Sequence, residues 1–231
     1  MDRKIAIVTG GASGIGAQIC QELRAADWLV ASFDLNEAGN VDLGLKVDVT
    51  DAKAVKDAVL TVTERLGTVR GAVAGAGYYE EVPFLEISPA AWQSMLKVHV
   101  GGVFNMLRAV VPVMTTSGIG RFVTIASERA IAGGKNDAHY ASAKAAALAL
   151  TRSAAAEFSG TGILINAVAP GPTDTPLLPP DSWERGEEFL RTLAVPRIAN
   201  TDEIALAVRS LLEDDLHLNG QVISINSGTV I

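Results

Sequence analysis

The sequence predicts an α/β protein: a mostly parallel sheet covered by helices on both faces. Three observations predict it. Short apolar, β-branched runs alternate with helical stretches along the chain. A glycine-rich turn, TGGASGIG, joins the first such run to the first helical stretch. The length of 231 residues, 48% of them hydrophobic, suits one α/β domain with a large core and needs no linker.

The elements follow in order. A strand is expected near 4–9, where KIAIVT runs apolar into Gly10. A helix near 14–26 begins in the glycine turn, and WLVASF forms a second strand near 28–33. Gly39 to Gly44 is a short connection to a strand near 44–47, followed by a helix near 51–66 and a strand near 69–74. Ser88-Pro89 supplies an N-cap and a proline at the first helical position for a helix near 89–115. Beyond it lie a strand near 120–125, a helix near 138–159 and a strand near 162–168. Helices near 183–193 and 202–213 come next, the second opened by Thr201-Asp202-Glu203 as a cap and two acids, and a strand near 221–225 ends the series. No internal repeat or low-complexity tract is visible.

The turn carries the first functional signal. Its spacing, Thr9-Gly10-x-x-x-Gly14-x-Gly16, departs from the common dinucleotide fingerprint, yet it must turn sharply, admit a pyrophosphate to the backbone and start a helix whose free N–H groups face the anion. Glycine permits all three. A plain tight turn is the bland alternative. The second strand ends on Asp34, eighteen residues beyond Gly16, where a carboxylate accepts hydrogen bonds from both ribose hydroxyls and repels a 2′-phosphate. Neither Ser13 nor Leu35 offers a basic group for such a phosphate. NAD is therefore the expected cofactor, and no metal is expected.

The second signal is HYASAKAAALAL. Tyr140 and Lys144 stand four apart, so in a helix they share a face, and Ser127 lies thirteen residues upstream of the tyrosine at the end of a strand. A phenol titrates near pH ~10, and lowering it by roughly 2 to 3 units takes about 3 to 4 kcal/mol of differential interaction. Lys144 is expected to supply the charge for that acid/base device. An isolated Tyr-x-x-x-Lys is more often an accident of an exposed helix; the glycine turn upstream reverses the odds.

Together these residues resemble the short-chain dehydrogenase/reductase family from Lys4 to about Gly228. The matching residues are Thr9 to Gly16, Asp34, Asp48-Val49, Ala74 to Gly77, Ser127, the Tyr140 to Lys144 box, Asn166, and Pro170 to Thr175. The resemblance implies a Rossmann-type doubly wound parallel sheet of about seven strands with helices on both faces. It also implies that Ser127 polarises a carbonyl, Tyr140 exchanges the proton, and Lys144 holds the nicotinamide ribose. The cofactor-binding set it implies is Gly10, Ser13, Gly14, Ile15, Gly16, Asp34, Leu35, Asp48, Val49, Ala74, Gly75, Ala76, Tyr140, Lys144, Pro170, Gly171, Thr173 and Thr175. Asp48 would bond the adenine amine, and Pro170, Gly171, Thr173 and Thr175 would line the carboxamide and diphosphate.

Two departures from the family matter. Ala74-Gly75-Ala76-Gly77 stands where Asn-Asn-Ala-Gly is usual, removing two amides that stiffen the sheet around the cofactor. His99 stands where an Asn commonly kinks a helix around a relay water. A packed core histidine is the bland reading. The matched position favours a catalytic one, in which the imidazole holds the relay water and its titration near pH ~6.5 adds a pH dependence.

Composition excludes other classes. A net charge of −7 argues against a nucleic-acid partner, which would call for a basic stripe. One cysteine, Cys20, precludes an intramolecular disulfide and suits ordinary packing. Neither a leader nor an apolar run long enough to span a bilayer is expected, so the protein should be cytoplasmic, without a membrane partner. The stretches LKVHVGGVFNMLRAVVPVM and AKAAALALTRSAAAEF are apolar or small nearly all round, which implies a homo-oligomer, a dimer or a tetramer.

The segment near 175–199 occupies the family's substrate lid, with Leu177, Leu178, Trp183 and Phe189 available to close over a ligand; an ordinary surface helix is the plainer alternative. Tyr78, Tyr79, Glu128 and Arg129 are candidates for the substrate's distal end, with Arg129 a possible partner for a carboxylate. The predicted function is NAD-dependent interconversion of a secondary alcohol or diol with its ketone. HVGGVFN and VAPGPTDTP are also similar to dihydrodiol dehydrogenases of the 2,3-dihydro-2,3-dihydroxybenzoate type and to 3-oxoacyl reductases. A catalytically silent NAD-binding sensor is the alternative of a different class, and the intact Ser127, Tyr140 and Lys144 argue against it.

Overall fold

The computed structural model describes residues 3–213 and 216–230. Its seven strands are β1 (Ile5–Thr9), β2 (Leu29–Asp34), β3 (Leu43–Lys46), β4 (Val69–Ala74), β5 (Gly120–Ile125), β6 (Ile163–Pro170) and β7 (Val222–Ile225). They form one all-parallel sheet in the order β3-β2-β1-β4-β5-β6-β7. The order reverses between β1 and β4, where the chain leaves first to one side and then to the other, opening a crevice at the strands' C-terminal ends.

Side-chain alternation explains why the strands read as unbroken apolar runs. Ile5 and Ile7 of β1 join Phe33, Phe122 and Ile165 in the core on one face, while Ala6 and Val8 join Val30, Val73, Val123 and Val168 on the other. Helix α2 (Ala52–Arg65), the long helical run Pro89–Ser117 and α6 (Ala138–Glu157) cover the first face. Helices α1 (Gly14–Ala25) and α8 (Thr201–Leu212) pack against each other over the second. Each large side chain so buried contributes about 1.5–3 kcal/mol. Cys20 lies in that second core, where burial pushes its thiol up to about 12 and leaves it inert.

The helix expected near 89–115 is three pieces in a row: α3 (Pro89–Leu96), a single π turn over Lys97–Gly101, and α4 (Gly102–Ser117). Ser88 caps it, its Oγ accepting from the Ala91 N–H at 3.1 Å. The run Pro89–Ser117 has the length and apolarity of a bilayer span, contrary to the reading that no such segment exists; its apolar face packs on β4 and β5.

Other boundaries differ for identifiable reasons. Asn200, not Thr201, is the N-cap of α8, and its N–H donates to the Glu203 carboxylate at 2.8 Å, while the Glu203 N–H donates to Asp202 Oδ1 at 3.0 Å. Arg197 then grips the Glu203 carboxylate at 2.7 Å and, with the Asn200 N–H, holds it at about 2. The helix expected near 183–193 is broken into a turn, Trp183–Arg185, and one helical turn, α7 (Glu187–Leu190), separated by Gly186 in an extended conformation. A short helix not anticipated, α5 (Arg129–Ala132), follows Ser127 and ends at Gly133 with φ +72°.

Candidate active site

The C-terminal ends of β1, β2, β4, β5 and β6 border one cleft of about 590 Å³. Gly10, Ser13, Gly14, Ile15 and Gly16 line it from the first turn, Asp34 and Leu35 from the end of β2, and Asp48 and Val49 from the loop after β3. Gly75 and Ala76 follow β4 into it, and Pro170, Gly171, Thr173 and Thr175 follow β6. His99, Ser127, Tyr140 and Lys144 line the same cleft. Ala74 does not: it is the last residue of β4 and belongs to the core.

The glycines of the first turn answer two separate needs. Gly10 and Gly14 adopt φ of +77° and +52°, which side-chain-bearing residues rarely do. Gly16 is held by proximity, since a Cβ there would lie 2.0 Å from the Gly10 carbonyl oxygen. Ser13 precedes α1 without capping it, so the helix's first N–H groups remain available to an anion in the cleft. Asp34 accepts from the Ala12 N–H at 3.1 Å and the Asn36 N–H at 3.0 Å, one bond to each carboxylate oxygen, which fixes the side chain and leaves lone pairs free on both. Asp48 is held below the usual carboxylate range by its bond from the Thr50 N–H. These residues fit a nicotinamide dinucleotide.

The two amides missing from the Ala74 to Gly77 loop are replaced in part by Thr9. Its Oγ1 accepts from the N–H groups of both Gly75 and Ala76 at 3.0 Å. Sequence reasoning noticed Thr9 only as the start of the turn, because the loop it holds lies more than sixty residues away.

The Ser127 hydroxyl lies beside the Tyr140 phenol and favours its ionised form. Lys144 reaches up from one turn further along α6, and its Nζ donates to the Ile125 carbonyl at 2.7 Å. The electrostatics differ from the sequence expectation. Burial pushes the Tyr140 phenol up to about 12 against the pull of the Ser127 hydroxyl, and burial brings Lys144 down to about 8. For the phenol, desolvation outweighs the pull of Ser127 and Arg129.

His99 lies inside the π turn and is 3% exposed. Its Nε2 is 2.8 Å from the Tyr78 carbonyl oxygen and 3.4 Å from the Tyr78 N–H; the shorter contact, to an oxygen that can only accept, makes Nε2 the protonated nitrogen and leaves Nδ1 a bare acceptor without a hydrogen-bond partner among the described residues. The ring stands edge-on to Tyr140, centroids 5.4 Å apart. Burial first and Lys144 second push His99 down to about 3, so the imidazole is neutral and the pH dependence expected from a titration near pH ~6.5 does not arise.

At the substrate end, Tyr78, Tyr79, Glu128, Arg129, Leu177 and Leu178 line the cleft. Trp183 and Phe189 do not; they stack on each other at 4.8 Å, with Trp183 60% exposed. The segment's base is pinned by the Thr173 to Ala199 bridge and by Arg185, which bonds Asp174 at 2.6 Å and the Leu178 carbonyl at 3.1 Å. Glu184 was missed in the sequence: it is buried, lines the cleft and lies 3.4 Å from Arg129. It sits in what reads as one face of a surface helix, and in the fold its carboxylate accepts from the Ser182 hydroxyl and faces Arg129.

The profile of the family described as short chain dehydrogenase matches residues 4–185. This chain belongs to the short chain dehydrogenase family. As such it is similar to an acetoacetyl-CoA reductase of Synechocystis sp., 32% identical over 98% of this chain and 96% of that one. It is similar to a cis-4-hydroxycyclohexanecarboxylate dehydrogenase of Sinomonas cyclohexanicum, 31% identical over 97% and 96% of the two chains. The crystal structure of levodione reductase superposes with a TM-score of 0.91 at 31% identity, covering 98% of this short chain dehydrogenase and 97% of that chain. The family makes it an oxidoreductase acting on alcohol or keto groups with a nicotinamide cofactor.

Proposed function

We propose that the protein is an NAD-dependent dehydrogenase that interconverts a secondary alcohol, or diol, with its ketone. The observation that carries this reading is the meeting of Ser127, Tyr140 and Lys144 in the cleft that Asp34 closes at its other landmark. Asp34 and the glycine turn would hold the adenosine and diphosphate, Asp48 and Val49 the adenine, and Pro170, Gly171, Thr173 and Thr175 the carboxamide end. When bound, the oxidised dinucleotide would supply the hydride acceptor.

The chain's own groups handle the proton. Ser127 hydrogen-bonds the substrate oxygen and Tyr140 Oη takes the carbinol proton, or returns it in reduction. Lys144 holds a ribose hydroxyl and favours the phenolate over the phenol. His99, neutral, accepts through Nδ1 from the water that carries the proton away from Lys144. The segment near 175–199 acts as a lid that excludes water through Leu177 and Leu178. The active form is a cytoplasmic dimer or tetramer.

The test is a panel of secondary alcohols and ketones assayed by nicotinamide absorbance with NAD and NADP, alongside binding of NAD to the resting enzyme. Turnover of any member with NAD supports the reading. NAD binding without turnover across the panel favours a silent NAD sensor instead.

A further inference from the structure

Glu128 is the group the proposed mechanism does not use. It follows Ser127 directly and lines the same cleft, yet it is only 5% exposed. Its backbone is fixed by the bond from its own N–H to the Pro170 carbonyl at 2.9 Å. The side chain is not spoken for. Oε2 has no hydrogen-bond partner among the described residues, and the neighbouring guanidinium turns away, Arg129 pairing instead with Asp137 at 3.5 Å and Glu184 at 3.4 Å. Oε2 lies against Gly171, where a Cβ would come within 3.0 Å of it and within 2.7 Å of the Asn226 backbone. A buried carboxyl without a partner is costly, and an apolar residue at this position would remove that cost. Burial drives the group up to about 7 against the pull of Arg129, so both its acid and its anion are available near neutrality.

We propose that Glu128 is a specificity residue for the reaction proposed above, on which this inference rests, and that it hydrogen-bonds a second hydroxyl adjacent to the reacting carbinol, making the substrate a neutral vicinal diol or the matching hydroxyketone. The charges around it select a neutral group. Arg129 opposes an ammonium, while Glu128 and Glu184 oppose a carboxylate, which withdraws the pairing of Arg129 with a substrate carboxylate. A hydroxyl both donates and accepts, so it satisfies the carboxylate and the carboxylic acid alike. Leu177, Leu178 and the Tyr78 ring leave an apolar surround for the carbon skeleton.

The experiment compares kcat/KM for cyclohexane-1,2-diol, as each isomer, with that for cyclohexanol, using NAD and the full chain. The wild type is expected to favour at least one diol isomer by tenfold or more. Glu128→Leu should bring that ratio near one by raising KM for the diol, and Glu128→Gln, which keeps a hydrogen-bonding group, should retain most of it. Melting curves establish that both variants are folded. Equal use of diol and cyclohexanol by the wild type, or a parallel fall for both substrates in Glu128→Leu, overturns the diol assignment while the dehydrogenase reading stands. No turnover of any alcohol or ketone overturns both.

Discussion

Lys144 stands with its ammonium 5.7 Å from the centre of the Tyr140 ring, one helical turn along α6, and spends a hydrogen bond on the Ile125 carbonyl rather than on the phenol. In the proposed mechanism the two residues have different duties, so each should be removable with a different consequence. Tyr140→Phe should lower kcat by about 100- to 10,000-fold with NAD affinity kept, because a transferable proton is lost from an otherwise filled pocket. Lys144→Ala should lower kcat and weaken NAD together. Steady-state kinetics and a titration of NAD binding separate them; an unchanged dissociation constant in Lys144→Ala removes the ribose contact.

The proposed preference for NAD rests on Asp34, which is held in place by Ala12 and Asn36 and lines the cleft beside the exposed Leu35. NAD should exceed NADP in kcat/KM by at least roughly tenfold, about 1.4 kcal/mol. Asp34→Ser combined with Leu35→Arg should shift the ratio toward NADP. Equal use of the two by the wild type would count against Asp34.

His99 and Gly77 are matched: a Cβ at Gly77 would lie 2.3 Å from His99 Cε1, so the imidazole occupies the space that a side chain would fill. His99→Asn should keep substantial turnover, and His99→Leu should slow the proton step by about 10- to 100-fold with the fold intact. Since the wild-type imidazole sits near 3, its kcat profile should carry no step near pH ~6.5. Full activity in His99→Leu assigns the residue to packing alone.

Glu128 links the cleft to stability. Its folded value is raised from 4.5 to about 7, so the native state keeps a proton that the unfolded chain releases. The contribution is fully present below about pH 4.5 and is lost as pH rises through about 7. Relative to wild type, Glu128→Gln should therefore gain stability between pH 5 and pH 8, by at most about 3 kcal/mol. Denaturant melts at the two pH values measure it; a difference independent of pH would mean the carboxyl is not buried as described.

The outward face of α6 carries Ser142, Ala145, Ala149 and Ser153, and Phe104 of α4 is 45% exposed. Small residues let a second helix approach closely, and light scattering should find a dimer or tetramer. A stable monomer at micromolar concentration would leave that surface as ordinary solvent-facing helix.

The parallel sheet, the dinucleotide turn and the Tyr140 to Lys144 pair were legible in the chain because each depends on residues adjacent in sequence: alternating strands and helices, glycines within one turn, two side chains on one helix face. What the chain could not announce depends on groups brought together from far apart. His99 reads as a histidine free to titrate until Tyr78, Tyr140 and Lys144 surround it. Thr9 reads as the edge of a turn until the loop after β4 folds onto its hydroxyl. Glu184 reads as the polar side of a surface helix until the fold buries it beside Arg129. Neighbours in the chain are enough to set the fold class and to supply the chemical groups of the cleft; the protonation of those groups waits on the packed fold, because desolvation is set by every element around a group and by no local run of residues.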